Sequence, residues 1–72
     1  MVTIIGHGSL EVYGSEVSIS KKITLSGLIR RLSIPDDLQE ALIVVRDSYV
    51  INMNDFIECD DVIHLYILIC GG

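Results

Sequence analysis

At 72 residues the chain has room for one small domain, which at that size buries only about 60% of the surface its unfolded form exposes. Half of the residues are hydrophobic and only two are cysteines, so an apolar core is expected to hold the fold where a secreted domain of this size would use a disulfide framework. Ten acidic against five basic residues give a net charge of −5, which disfavours nucleic acid and favours a partner with a basic cleft.

In chain order, "VTII" at positions 2–5 is β-branched and stops at Gly6-His7-Gly8, a strand followed by a turn. "LEVYGSEVSIS" alternates apolar and polar residues at Leu10, Val12, Val17 and Ile19. It predicts a second strand over 10–20, bent or bulged at Gly14 and paired with the first as a hairpin. The period then changes: Leu25, Leu28, Ile29 and Leu32 recur at i, i+3, i+4 and i+7, the stripe of a helix that covers a sheet. Thr24 is its candidate N-cap, Ile23 a hydrophobic staple onto Leu28, and Arg30 and Arg31 suit the negative end of its dipole. Gly27 costs such a helix about 1 kcal/mol relative to alanine, which suggests close packing against the sheet.

Pro35 ends the helix, and "PDDLQE" reads as a turn or a single helical turn. "ALIVV" at 41–45 is continuously apolar, a strand expected to be buried on both faces or nearly so. Arg46-Asp47-Ser48 turns the chain into a short strand, "YVI". The polar connection "NMNDFIECDD" follows, with Phe56 and Ile57 expected to plug the core. "VIHLYILI" at 62–69 is the closing strand. The order β-β-α-β-β-β, with the most hydrophobic strand last and lying beside the first, predicts an α+β domain. The fold expected is a ubiquitin-like β-grasp, a mixed sheet of four to five strands covered by one main helix and spanning 1–72 as a single domain.

The start "MVTIIGHGSL" lacks a basic n-region, and the longest apolar runs fall far short of the roughly 18 residues of a membrane span. A cytoplasmic protein that does not enter a membrane is expected. On the closing strand Ile63, Leu65, Ile67 and Ile69 share one side and should face the core. His64, Tyr66, Leu68 and Cys70 share the other, with His64, Tyr66 and Leu68 forming a candidate partner-docking patch. His64 and Cys70 are six residues apart on one strand, about 20 Å, so they cannot ligate one metal ion or act as a nucleophile pair. Asp36-Asp37 and Asp60-Asp61 read as turn and cap residues. No catalytic set and no metal set is expected, and both histidines read as structural.

The last stretch, "CDDVIHLYILICGG", passes from a core strand directly to Gly71-Gly72, so 70–72 is expected to be a flexible tail. With "TLSGLIRRL" and "ALIVVRDSYVI", this resembles the ThiS/MoaD family of sulfur-carrier proteins, β-grasp domains that end in Gly-Gly. The similarity spans nearly the whole chain and is most specific over the last fourteen residues. Two departures stand out. Arg46-Asp47-Ser48 stands where the family usually has an Asn-Gly turn, and Asp60 takes the place of the usual glycine in the final turn.

The resemblance implies a carrier, not an enzyme, that binds no cofactor. An E1-like adenylating enzyme joins the Gly72 carboxylate to AMP from ATP. A sulfur donor, a sulfurtransferase or cysteine desulfurase, converts the adenylate to a thiocarboxylate. The sulfur then passes to thiazole synthase in the thiamine pathway or to the large subunit of molybdopterin synthase. Gly71, with the small Cys70 before it, would thread a narrow channel, since glycine adds no side chain there. Two other readings fit the same sequence: a ubiquitin-like modifier conjugated through Gly72, and a β-grasp interaction module without carrier activity.

Overall fold

A computed structural model describes residues 1–68. Among them the elements are β1 (Val2–Gly6), a 3₁₀ helix (Gly8–Tyr13), β2 (Ser15–Val17), β3 (Ile23–Thr24), α1 (Leu25–Leu32) and α2 (Asp36–Gln39). They are followed by β4 (Leu42–Arg46), β5 (Tyr49–Ile51), β6 (Phe56–Ile57) and β7 (Val62–Ile67). Five strands form one mixed sheet in the order β2-β1-β7-β4-β5. β7 runs parallel to β1, with Ile4 opposite Ile63, and antiparallel to β4, with Val44 opposite Leu65. This is the expected α+β arrangement, a β-grasp sheet with one main helix on one side. Among the described residues no helix is long and apolar enough to cross a membrane.

Alternation builds the core. Val2 and Ile4 of β1, Val44 of β4, and Ile63 and Leu65 of β7 point to the same side, where Leu25, Leu28 and Ile29 of α1 meet them. The helix starts as its sequence predicts: the Thr24 hydroxyl accepts a hydrogen bond from the Gly27 N–H at 3.2 Å. It stops at Ser33, whose left-handed backbone (φ 57°) turns its N–H onto Arg30 O. Gly27 is not forced by packing against the sheet. A methyl group there would meet Thr24 Oγ1 at 3.5 Å and Ile23 Cβ at 3.9 Å, ordinary contacts within the helix's own first turn.

The second strand begins later than the alternation suggests. Residues 8–13 form a 3₁₀ helix in which Leu10 is fully buried while Val12 is 81% exposed. On a strand those two side chains would share a face; on a helix they diverge. The helix lies across the end of β1, so close that a Cβ on Gly6 would overlap the Leu10 carbonyl. Gly14 follows in extended backbone, its N–H bonded to Glu11 O at 3.0 Å, and β2 then pairs with β1 over three residues.

Two further expectations need correction. β4 is not buried on both faces: only Val44 is fully buried, because the helix covers one side of the sheet alone. Of the pair expected to plug the core, Ile57 does so, but Phe56 is 51% exposed and carries the Lys22 ammonium 4.8 Å from its ring centroid. Both belong to β6, which pairs with β3 in a separate two-residue ladder, Ile23 opposite Ile57. Nearby, Arg46 Nη1 donates to Phe56 O and, at 3.2 Å, to Asp61 Oδ2, which also accepts the Glu58 N–H at 2.8 Å. Asp60 adopts the left-handed backbone (φ 71°) that its place in the final turn calls for.

Candidate functional site

The side of the sheet that α1 leaves uncovered is built from alternate residues of four strands. On β7 these are Val62, His64 and Tyr66, continued by Leu68; Val62 is 44% exposed, Tyr66 38% and Leu68 56%. Parallel register places Thr3 beside Val62 and Ile5 beside His64. On the other flank Val45 lies opposite His64 and Ile43 opposite Tyr66, and Val50 of β5 extends the row beside Val45. The result is a contiguous, mostly aliphatic face, the kind of patch that marks an interaction surface.

The predicted docking residues His64, Tyr66 and Leu68 therefore do share this face. Leu68 is held to it by its own backbone, whose N–H donates to Ala41 O at 2.8 Å. Cys70, Gly71 and Gly72 lie outside the described residues, as does Ile69.

One participant is absent from the expected patch. His7 follows β1, and its N–H donates to Leu65 O at 3.0 Å, which brings its imidazole over β7. The ring stacks on Tyr66 with centroids 4.3 Å apart and planes within 6°. Its Nε2 lies 3.0 Å from His64 Nδ1. The signal for this is present in the sequence: the same alternation that sorts β7 puts Thr3, Ile5 and His7 on one side of β1. It becomes readable once β1 is set beside β7 in register. Val45 and Val50 follow from the same argument across β4 and β5.

Chemically, the described part of this face offers apolar contact area, one tyrosine and a hydrogen-bonded imidazole pair. Compared with known proteins, the chain matches no protein-family model and has no significant match among curated proteins.

Proposed function

We propose that the chain is a sulfur carrier. An E1-like enzyme adenylates the Gly72 carboxylate with ATP, and a sulfur donor converts the adenylate to a thiocarboxylate used in thiamine or molybdopterin biosynthesis. The observation that carries this reading is the position of β7. The strand that precedes Gly71-Gly72 in sequence is the centre of a β-grasp sheet, hydrogen-bonded on both flanks, to β1 and to β4. A handle attached to the best-anchored strand can be pulled into a partner's active site without loosening the body that carries it. The carrier brings no catalytic group; it is a substrate of its activating enzyme.

Activation is needed because a free carboxylate is a poor electrophile. Its oxygen attacks the α-phosphate of ATP and pyrophosphate leaves. The outer sulfur of the donor's persulfide then displaces AMP, and a thiol cleaves the resulting acyl disulfide to leave the thiocarboxylate, the thiol and the donor's sulfur ending as a disulfide. Ordering each tail residue costs about 1–2 kcal/mol of backbone entropy, more for glycine. Docking of the body offsets this. The uncovered aliphatic face with Tyr66 and Leu68 supplies the contact area, and the net charge of −5 suits a basic partner.

The test is intact-mass measurement of the native protein after incubation with the host E1-like enzyme, ATP and a sulfur donor. A gain equal to one oxygen-to-sulfur exchange at Gly72 is expected. No gain, with an enzyme and donor active on another carrier, overturns the reading, and so does a native polypeptide that runs past Gly72 untrimmed. Conjugates to host proteins that vanish on deletion of Gly72 would transfer the assignment to a protein modifier.

A further inference from the structure

We propose that the free edge of β2 binds an acidic peptide in extended form, by strand addition. The inference is independent of the carrier reading, because it uses neither the uncovered face nor the tail. β2 ends the sheet, and its register with β1 decides which of its backbone groups are spent. On β1 the Thr3 and His7 N–H groups bond to Asp61 O and Leu65 O, so Val2 and Ile4 turn theirs to β2. Val17 and Ser15, which lie opposite those two, are the hydrogen-bonded partners. Glu16, opposite Thr3, directs its N–H and C=O away from the sheet, and the same alternation turns Ser18 outward. Arg31 Nη1 donates to Ser18 O at 3.4 Å, a long and exposed bond that a peptide N–H can replace. Ser15, Glu16 and Ser18 are all exposed, so among the described residues this edge is uncovered.

The opposite edge, β5, is closed. Tyr49 and Ile51 are spent on Arg46 and Val44, which leaves Val50 to turn outward. The next outward amide, that of Asn52, already donates to Asp55 Oδ2 at 2.8 Å. A carboxylate thus blunts one edge of the sheet, the usual defence against strand pairing, and β2 lacks that defence.

Charge says what the free edge takes. Residues 12–35, which include β2, β3 and α1, hold Lys21, Lys22, Arg30 and Arg31 against Glu16 alone, a net charge of +3. The rest of the chain holds nine acids against Arg46, a net charge of −8. The positive segment of an acidic chain therefore flanks its free edge: Arg31 touches the edge at Ser18, and exposed Lys21 follows three residues on. Val17 lies opposite Val2 and faces the core side, so an added strand lays alternate side chains beside Val17 and beside Glu16. The occupant is β-branched where it passes Val17 and acidic where it passes Ser18 toward Lys21, because an acid beside Glu16 would be repelled. Main-chain bonds supply affinity and these side chains supply choice. As the peptide N–H takes Ser18 O, the Arg31 guanidinium is freed to pair with a peptide carboxylate.

The experiment uses the full chain and a fluorescein-labelled peptide, Val-Ile-Val-Thr-Asp-Glu-Asp-Asp, beside a control in which lysine replaces each acid. Fluorescence anisotropy should show saturable binding of the acidic peptide, weakened by added salt and at least about tenfold tighter than the control. Lys21→Glu combined with Arg31→Glu should weaken binding by about tenfold at low salt. Glu16→Pro removes an outward N–H and no bond to β1, a substitution an edge strand tolerates, and should weaken binding by a similar factor. Because a variant could unfold, amide hydrogen exchange is also followed in the unaltered chain, where saturating peptide should protect the Glu16 and Ser18 N–H groups. Absence of saturable binding, equal affinity for the lysine control, unchanged affinity in the folded variants, or protection confined to the uncovered face overturns the proposal. So does protection of Glu16 and Ser18 that grows with protein concentration alone, which would assign the edge to a second copy of the chain.

Discussion

Ser48 holds a left-handed backbone at φ 70°, beside Asp47 at φ 53°, in the two-residue turn that joins Arg46 to Tyr49. Two consecutive left-handed residues are the signature of a type I′ hairpin turn, where Asn-Gly is the favoured pair. An L-residue there carries a steric penalty of roughly 1–2 kcal/mol, which aspartate tolerates better than serine. Ser48→Gly should therefore stabilise the protein by about 1 kcal/mol, raising Tm by about 4–8 °C for a domain of this size. Urea titration with an unchanged slope is the check; a lower midpoint would mean that the serine hydroxyl contributes something the turn geometry does not reveal. The sequence already carried this information in inverted form, as an expected Asn-Gly turn occupied by poorer residues.

Elements were legible where their period was long enough to repeat. The stripe from Leu25 to Leu32 and the alternation along β7 each persist over several residues and name both the element and its buried side. β3 and β6 are two residues each and have no period to read, so only their pairing in three dimensions defines them. Leu10 and Val12 misled because a single i, i+2 pair imitates a strand, and burial of one with exposure of the other becomes visible only when the chain crosses the sheet end. That crossing rests on Gly6. Gly6→Ala sets a methyl group against the backbone carbonyl of Leu10, which cannot rotate away as a side chain would. A loss of about 3 kcal/mol is expected, measured by denaturant unfolding; a loss below about 0.5 kcal/mol would show that the 3₁₀ helix shifts freely. The uncovered side was half legible: β7 gave His64, Tyr66 and Leu68, while His7 needed the register with β1.

At the scale of the whole molecule the sheet has two unlike sides, one sealed by α1 and one left uncovered with mostly aliphatic side chains. Leu68, 56% exposed on the second side, separates folding from docking. Leu68→Glu should change stability by no more than about 0.5 kcal/mol. It should also weaken binding to the proposed activating enzyme by about tenfold, the effect of losing roughly 1.4 kcal/mol at an interface. Paired measurement of the urea midpoint and of Kd checks this; equal loss in both would assign Leu68 to the core instead.

The parallel contact of β1 with β7 joins the first strand of the chain to the last strand described, as in Ile4 with Ile63. During synthesis β1 leaves the ribosome before the other four strands of the sheet, yet its partner at the centre is the last of the five to be made. Until then Val2 and Ile4 have no neighbour on that flank. The hairpin of β4 and β5 and the short helix can form early from local contacts, but closure of the sheet waits on a loop of almost the full chain, a late and slow step. A nascent chain stalled before β7 would expose its aliphatic strands to chaperones, and the proposed activating enzyme would have no body to grip until the strand leading to the diglycine had itself been translated.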